Sequence, residues 1–100
     1  MVSTSNFLKK ADELVGGDRH RDYGDKTENH TNIAKLWSAY LDTPIEAHDV
    51  ALMMSLLKIA RTKLGAVSED TYIDMAAYSA IAGEIKFKTV KGGDDNVEND

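Results

Sequence analysis

The stretch that decides the fold is "HDVALMMSLLKIAR", residues 48–61. On a helix with about 100° between successive residues, most of its apolar side chains fall on one broad stripe, which predicts an amphipathic α-helix. Asp49 lies in the middle of this stripe, at nearly the same angle as Met53, Leu56 and Ala60. A carboxylate on a core-facing stripe costs free energy unless a partner compensates it. Asp49 is therefore the first candidate functional residue.

Helical periodicity extends over most of the chain. The four predicted helices cover about residues 5–15, 26–41, 43–64 and 68–88. Asp25 and Glu28 are spaced for a capping box on the second helix, and "TPIE" places Thr43 at the N-cap, Pro44 at N1 and Glu46 at N3 of the third. No strand is predicted. The expected fold class is all-α, an antiparallel four-helix bundle with short connections.

The length of 100 residues predicts one domain. We assign residues 1–90 to a single helical domain and residues 91–100, "KGGDDNVEND", to a disordered acidic tail. A chain of this size buries only about two thirds of its unfolded surface, so its stability is marginal without help. Apolar residues also spread widely around the third and fourth helices. We therefore expect a homo-oligomer, a dimer or a tetramer, that packs through these two helices.

Composition excludes several classes of function. The chain has no cysteine, which rules out disulfides, thiolate zinc sites and thiol catalysis. Its net charge of −5 argues against binding of duplex nucleic acid, although a local basic pocket can still hold one small anion. No segment approaches the roughly 20 apolar residues that span a bilayer, and the N-terminus lacks a signal core. We expect no membrane contact and a cytoplasmic protein, located in the host cell if it is phage-encoded.

Two facing helices carry carboxylates on their predicted inward sides. The apolar stripe of the fourth helix is formed by Ile73, Ala77, Ile81 and Ile85, and it contains Asp70 and Asp74. Glu46 and Asp49 occupy the corresponding side of the third helix. Carboxylates one turn apart on packed helices can build a magnesium site that leaves coordination positions for substrate phosphates. The predicted metal ligands are Glu46, Asp49, Asp70 and Asp74.

Structural roles for these acids stay open. Glu46 can complete a capping box, and Asp70 can favour the dipole of the fourth helix. Asp49 and Asp74 can each form a buried ion pair with Lys58, with Arg61 or with a histidine. Lys58 points away from the Asp49 stripe and Arg61 lies at its edge, so Arg61 is the better acid or phosphate partner. Lys58 could still reach across a subunit boundary.

A basic segment between two glycines suggests phosphate binding. "GDRHRDYG", residues 17–24, contains Arg19, His20, Arg21 and Tyr23. Arginine forks match phosphate oxygens, and histidine or tyrosine can stack on a base. A solvated surface loop is the alternative. His30, Lys58 and Arg61 complete the predicted nucleotide-binding set, although a histidine on an apolar helix face is also typical of a hydrogen-bonded core residue.

Three blocks of this sequence resemble a family of small domains found in tailed phages and prophages, which has no assigned activity. The blocks are "GDRHRDYGDKTENHTNIAKLWSAYL", "DVALMMSLLKIAR" and "DTYIDMAAYSAI". The resemblance covers about residues 14–86, nearly all of the predicted helical domain. This resemblance implies a phage protein but no particular chemistry.

The block "DTYIDMAAYSAI" is also similar to the last metal-binding helix of MazG-like all-α nucleoside triphosphate pyrophosphohydrolases. The resemblance implies two acidic pairs, Glu46 with Asp49 and Asp70 with Asp74, that bind Mg²⁺ and the phosphates of a nucleotide. It also implies an obligate oligomer with shared sites. The sequence departs from the pattern, because the first pair ends in aspartate without a neighbouring glutamate and the second has i,i+4 rather than i,i+3 spacing.

Three functions follow as hypotheses. The first is Mg²⁺-dependent hydrolysis of a nucleotide phosphate, in which Arg19, Arg21 and Arg61 steady the developing charge. The second is a non-catalytic oligomeric sponge that sequesters a nucleotide signal of host immunity. The third is a helical bundle that binds a host or phage protein and inhibits it, with the acids serving as ion-pair partners.

Overall fold

The structure is a computed structural model, and it describes residues 2–16, 25–63, 65 and 68–88. These ranges contain four α-helices and no strand: α1 (Thr4–Gly16), α2 (Lys26–Leu41), α3 (Ala47–Arg61) and α4 (Glu69–Lys88). The predicted all-α class is confirmed. The predicted tail at 91–100 and the basic segment at 17–24 lie outside the described residues. None of the described helices is long and apolar enough to cross a bilayer.

The centre of the fold is an antiparallel hairpin of α3 and α4. Lys58 Nζ on α3 lies 3.2 Å from Asp74 Oδ2 on α4, and Ser55 Oγ donates to the Met75 carbonyl at 3.5 Å. Earlier residues of α3 therefore pair with later residues of α4. On the outer sides of the hairpin, α1 packs against α4 and α2 packs against α3. The start of α2 also reaches α4, because Lys26 Nζ lies 3.4 Å from Glu84 Oε1.

In the described part of the chain, the buried apolar residues are alanines and branched residues, and half of them lie on α4. Toward α1 it buries Ile73 and Ala77 against Ala11. Phe7, Leu14, Val15 and Ala76 are partly buried around this cluster. The other fully buried large side chains in the described part of the chain are Val50 on α3 and Ile85 on α4. So few large core residues leave little apolar area to stabilise one chain.

The bounds of α2 agree with the prediction, and its capping explains why. Asp25 has extended backbone, and its Oδ2 accepts a hydrogen bond from Glu28 N–H at 3.0 Å. The helix ends where Asp42 adopts a left-handed conformation, with φ of 56°, and donates its N–H to the Ser38 carbonyl. Aspartate tolerates this conformation better than most residues other than glycine. Tyr40, in the last turn of the helix, is 87% exposed.

The predicted start of the third helix is wrong by three residues. The Ser38 hydroxyl accepts a hydrogen bond from Ile45 N–H at 2.8 Å and lies 3.1 Å from the Ile45 carbonyl, to which it can donate. This holds the backbone around Ile45 outside the helix, so Pro44 cannot be N1 of α3. Glu46 instead takes extended backbone and becomes the N-cap, which places Asp49 at N3. The helix ends at Arg61 rather than near Leu64, and Leu64 lies outside the described residues.

Candidate functional site

Asp49 is compensated by the helix that carries it. Its Oδ2 accepts a hydrogen bond from Glu46 N–H at 2.9 Å, which is the reciprocal bond of a capping box. The carboxylate also lies in the first turn of α3, where the helix dipole favours negative charge. Its side chain is 39% exposed. The cost expected for a carboxylate in the core therefore does not arise at this position.

His48 is a neighbour of both acids that the sequence analysis did not single out. Its Nε2 lies 3.5 Å from Asp49 Oδ1, and its Nδ1 lies 3.6 Å from Glu46 Oε1. The imidazole is largely buried, with 18% of the side chain exposed, whereas 74% of the Glu46 side chain is exposed. The sequence signal for this contact was the position of His48, two residues after Glu46 and one residue before Asp49. These three residues form one polar cluster at the N-terminus of α3.

The stripe on which Asp49 lies faces outward. Leu56, at nearly the same helical angle as Asp49, is 61% exposed, and Leu52 is 45% exposed. The opposite side of the helix carries Lys58 against α4, together with the fully buried Ala51. The prediction that the Asp49 stripe packs against the fourth helix is therefore wrong. Apolar residues lie on nearly all sides of α3, so helical periodicity alone selected the wrong side as the one that faces α4.

Asp74 lies inside the hairpin as predicted, with Lys58 as its partner. The two side chains are 20% and 17% exposed, and the Nζ–Oδ2 distance of 3.2 Å is that of an ion pair. This is one of the structural alternatives that the sequence left open. The preference for Arg61 as the acid partner is wrong, because Arg61 is exposed at the last residue of α3 while Lys58 reaches Asp74 within the same chain.

The four predicted metal ligands do not come together in one chain. Asp49 lies nine residues before Lys58, and therefore about 13 Å along α3 from the level of Asp74. Asp70 lies a further turn away in the opposite direction, exposed in the first turn of α4. Among the described residues, no group of three or more histidines and acids is placed to hold a metal ion. This arrangement does not fit the predicted Mg²⁺ site within a single chain.

A second charged cluster joins α2 to the later part of α4. Glu84 lies 3.4 Å from Lys26 Nζ and accepts a hydrogen bond from Lys88 Nζ at 3.2 Å. Burial alone would raise the pKa of Glu84. The hydrogen bond from Lys88 and the charges of Lys26 and Lys88 together outweigh burial and hold this pKa below its usual value. The cluster stabilises the ionised carboxylate.

The predicted nucleotide-binding residues divide into two groups. Arg19, His20, Arg21 and Tyr23 lie outside the described residues. His30 is buried on α2, and its Nδ1 lies 2.8 Å from the Lys26 carbonyl. A carbonyl can only accept, so Nδ1 is the donor and only Nε2 is left for a ligand. Lys58 is engaged by Asp74, and Arg61 is the exposed member of the described set.

Comparison with known proteins places this arrangement in a family. The family described as a domain of unknown function, DUF6378, matches residues 6–86. The chain belongs to the DUF6378 family. The match covers α1, α2 and α3 almost completely and most of α4. It also includes all three sequence blocks that resemble a phage domain family.

Two phage proteins are similar to this DUF6378 chain. The Gene 55 protein of Mycobacterium phage L5 is 44% identical over 77 residues, which cover 76% of this chain and 49% of the relative. The Gene 55 protein of Mycobacterium phage D29 is 38% identical over 89 residues, covering 89% of this chain and 59% of the relative. The chain thus spans about half of the length of these relatives. No solved structure matches it. The predicted kinship with a phage family is confirmed.

Proposed function

We propose that this DUF6378 protein binds a nucleotide without hydrolysing it, as a phage sponge that withdraws a nucleotide signal of host immunity. The choice of binding over hydrolysis rests on the Lys58–Asp74 ion pair. Asp74 is the least exposed acid of the predicted metal set, and in this pair its partner is the Lys58 side chain. The separation of Asp49 from Asp74 along the hairpin supports the same choice. Binding of an anion by arginines needs no metal.

The nature of the ligand is inferred from the basic segment. Arg19 and Arg21 offer planar forks that match phosphate oxygens, while His20 and Tyr23 offer flat rings for a base. Asp18 and Asp22 balance the charge of the two arginines, so the segment offers guanidinium forks for phosphate rather than a net positive charge. Such a segment suits one small anion better than a polyanion. The looser resemblance to MazG-like proteins supports a nucleotide as that anion.

The test begins with the protein as purified from phage-infected cells. Heat denaturation followed by mass spectrometry of the released small molecules should identify a nucleotide. Calorimetric titration of the emptied protein with that compound should then show stoichiometric binding that is unchanged by a chelator. Replacing Arg19 and Arg21 together by alanine should weaken binding at least tenfold. Replacing Lys9 and Lys10 by alanine removes two positive charges from an exposed part of α1 and should leave affinity unchanged.

Two outcomes would replace the proposal with another. Turnover of the nucleotide that requires Mg²⁺ would support the hydrolase instead, with Glu46, Asp49, Asp70 and Asp74 supplied by more than one chain. Release of no nucleotide, together with stoichiometric copurification of a host or phage protein, would support an inhibitory interaction protein. Equal losses of affinity in the arginine and lysine variants would show that binding is not local to the basic segment.

A further inference from the structure

The outward face of α3 is apolar in its middle and charged at its two ends. We define the outer stripe of α3 as Asp49, Leu52, Leu56, Ile59, Ala60 and Lys63. The three large apolar members are 45%, 61% and 40% exposed, in chain order. Lys63 follows the end of the helix, but its N–H still bonds to the Ala60 carbonyl at 3.1 Å, so it continues the last turn. All six residues lie within about 60° of Leu56 around the helix axis.

The spacing of the outer stripe is that of a coiled-coil seam. Steps of three and four residues alternate from Asp49 to Leu52, to Leu56, to Ile59 or Ala60, and to Lys63. This pattern keeps one apolar line facing a neighbouring helix. In the described part of the chain, α3 packs against α2 and α4 through its other sides. Among the described helices, none of the same chain lies against this seam.

Five of the six residues of the outer stripe are placed symmetrically about Leu56, and the sixth, Ile59, is matched by Met53, which lies outside the stripe. Asp49 lies seven residues before Leu56, and Lys63 lies seven residues after it. If two copies of α3 cross antiparallel with Leu56 on the two-fold axis, Asp49 of each copy lies opposite Lys63 of the other. Leu52 then lies opposite Ala60, a large residue facing a small one. A parallel pairing would instead bring like charges together at both ends.

We propose that a second copy of this chain covers the outer stripe, forming a two-fold dimer through antiparallel α3 helices. The stripe matches itself in charge, in register and in side-chain size, as an isologous interface requires. The small core supports the same occupant, since a permanent partner would bury apolar area that one chain cannot bury alone. The dimer is independent of the proposed nucleotide and can exist without it. It also assigns Asp49 a place at the edge of an interface.

Cysteine cross-linking tests the register, because the natural chain has no cysteine. Under mild oxidation, Leu56→Cys should form a covalent dimer, since both copies of residue 56 lie at the axis. Leu52→Cys and Ala60→Cys should each cross-link poorly alone and well when mixed, because a disulfide tolerates Cα separations of at most about 7 Å. In a parallel dimer, residue 52 would face residue 52 of the second copy, so the Leu52→Cys variant would cross-link well without being mixed with Ala60→Cys. That result, or equal cross-linking at every position, would overturn the proposal.

Sedimentation of the uncross-linked protein tests the occupant. At micromolar concentration the natural chain should have twice the mass of one 11.0 kDa chain. Leu56→Glu should weaken association at least tenfold while circular dichroism shows unchanged helix content, since Leu56 is exposed in the single chain. Leu8→Glu is the matched control, because Leu8 is a leucine of similar exposure on α1 and should leave the dimer intact. A monomeric natural chain, or a dimer insensitive to Leu56→Glu, would refute the proposal.

Discussion

Replacing Asp74 by asparagine tests whether the inner acid of the hairpin is an ion-pair partner or a metal ligand. The change preserves the shape of the side chain and removes its charge, which leaves the Lys58 ammonium in the hairpin without a counter-charge. Loss of one partner of a fully buried pair costs about 3–5 kcal/mol. The two side chains here are 20% and 17% exposed, so Lys58 can recover part of its hydration by extending toward water.

We therefore expect Asp74→Asn to lower the free energy of unfolding by about 2–3 kcal/mol, less than for a fully buried pair. For a domain of this length, that corresponds to a decrease of about 10–20 °C in melting temperature. The loss should be the same in magnesium and in a chelator. Adding Lys58→Met should restore part of it, because the double variant no longer contains an unpaired charge inside the hairpin.

Thermal melts and urea titrations of the natural chain, Asp74→Asn, the double variant with Lys58→Met and a control variant measure these effects. Lys88→Met serves as a control, because it removes one partner of the exposed pair with Glu84 and should change stability by less than about 1 kcal/mol. If Asp74→Asn is as stable as the natural chain in chelator, the Lys58–Asp74 ion pair does not stabilise the hairpin. If magnesium also stabilises the natural chain and not the variant, Asp74 is a metal ligand.

Two further predictions rest on the described contacts, and a third rests on the composition of residues 91–100. Asp49→Ala should cost about 0.5–2 kcal/mol with or without magnesium, because it removes the capping bond to Glu46 N–H, and urea titration of both proteins checks this. Because the pKa of Glu84 in the folded protein is below the usual value of 4.5, the stability that ionised Glu84 contributes is fully present above pH 4.5 and is lost as the pH falls through the folded pKa. The difference in unfolding free energy between the natural chain and Glu84→Gln should therefore shrink on acidification. A difference that is independent of pH would contradict this role of Glu84. Deletion of residues 91–100 should leave the melting temperature within about two degrees, in line with a tail that buries no apolar surface, and a larger decrease in a calorimetric scan would mean that the tail packs on the domain.

The helices could be predicted because their signals are local. Asp25 caps α2 through a side chain three residues from its bonding partner. Ser68 acts similarly before α4, where its hydroxyl accepts a hydrogen bond from Asp70 N–H at 3.1 Å. The start of α3 could not be predicted in this way. It depends on Ser38, near the end of α2, which accepts a hydrogen bond from Ile45 N–H across seven residues.

The partners of the acids were harder to predict from the sequence than the helices, because they depend on which side of α3 faces α4. Val50 and Ala51 are fully buried on one side, while Leu52 and Leu56 are exposed on another. All four are apolar, so helical periodicity cannot rank these sides. Lys58 was the residue that could decide, since a long side chain can extend its amine from an apolar face toward a carboxylate. Interpreted as a partner for Asp74, it identifies the side of α3 that packs on α4.

Two separate features of α3 explain why Asp49 lies at the same helical angle as the apolar stripe. The capping bond and the helix terminus stabilise Asp49 within one chain, which accounts for its tolerance without a metal. Its angle around the helix belongs to the exposed seam that ends in Lys63, which accounts for its alignment with leucines. In the proposed dimer, Asp49 would lie opposite Lys63 of the second copy, which favours the antiparallel orientation over the parallel one. The position of Asp49 on an apolar stripe is therefore a reason to test the orientation of a partner helix by cross-linking.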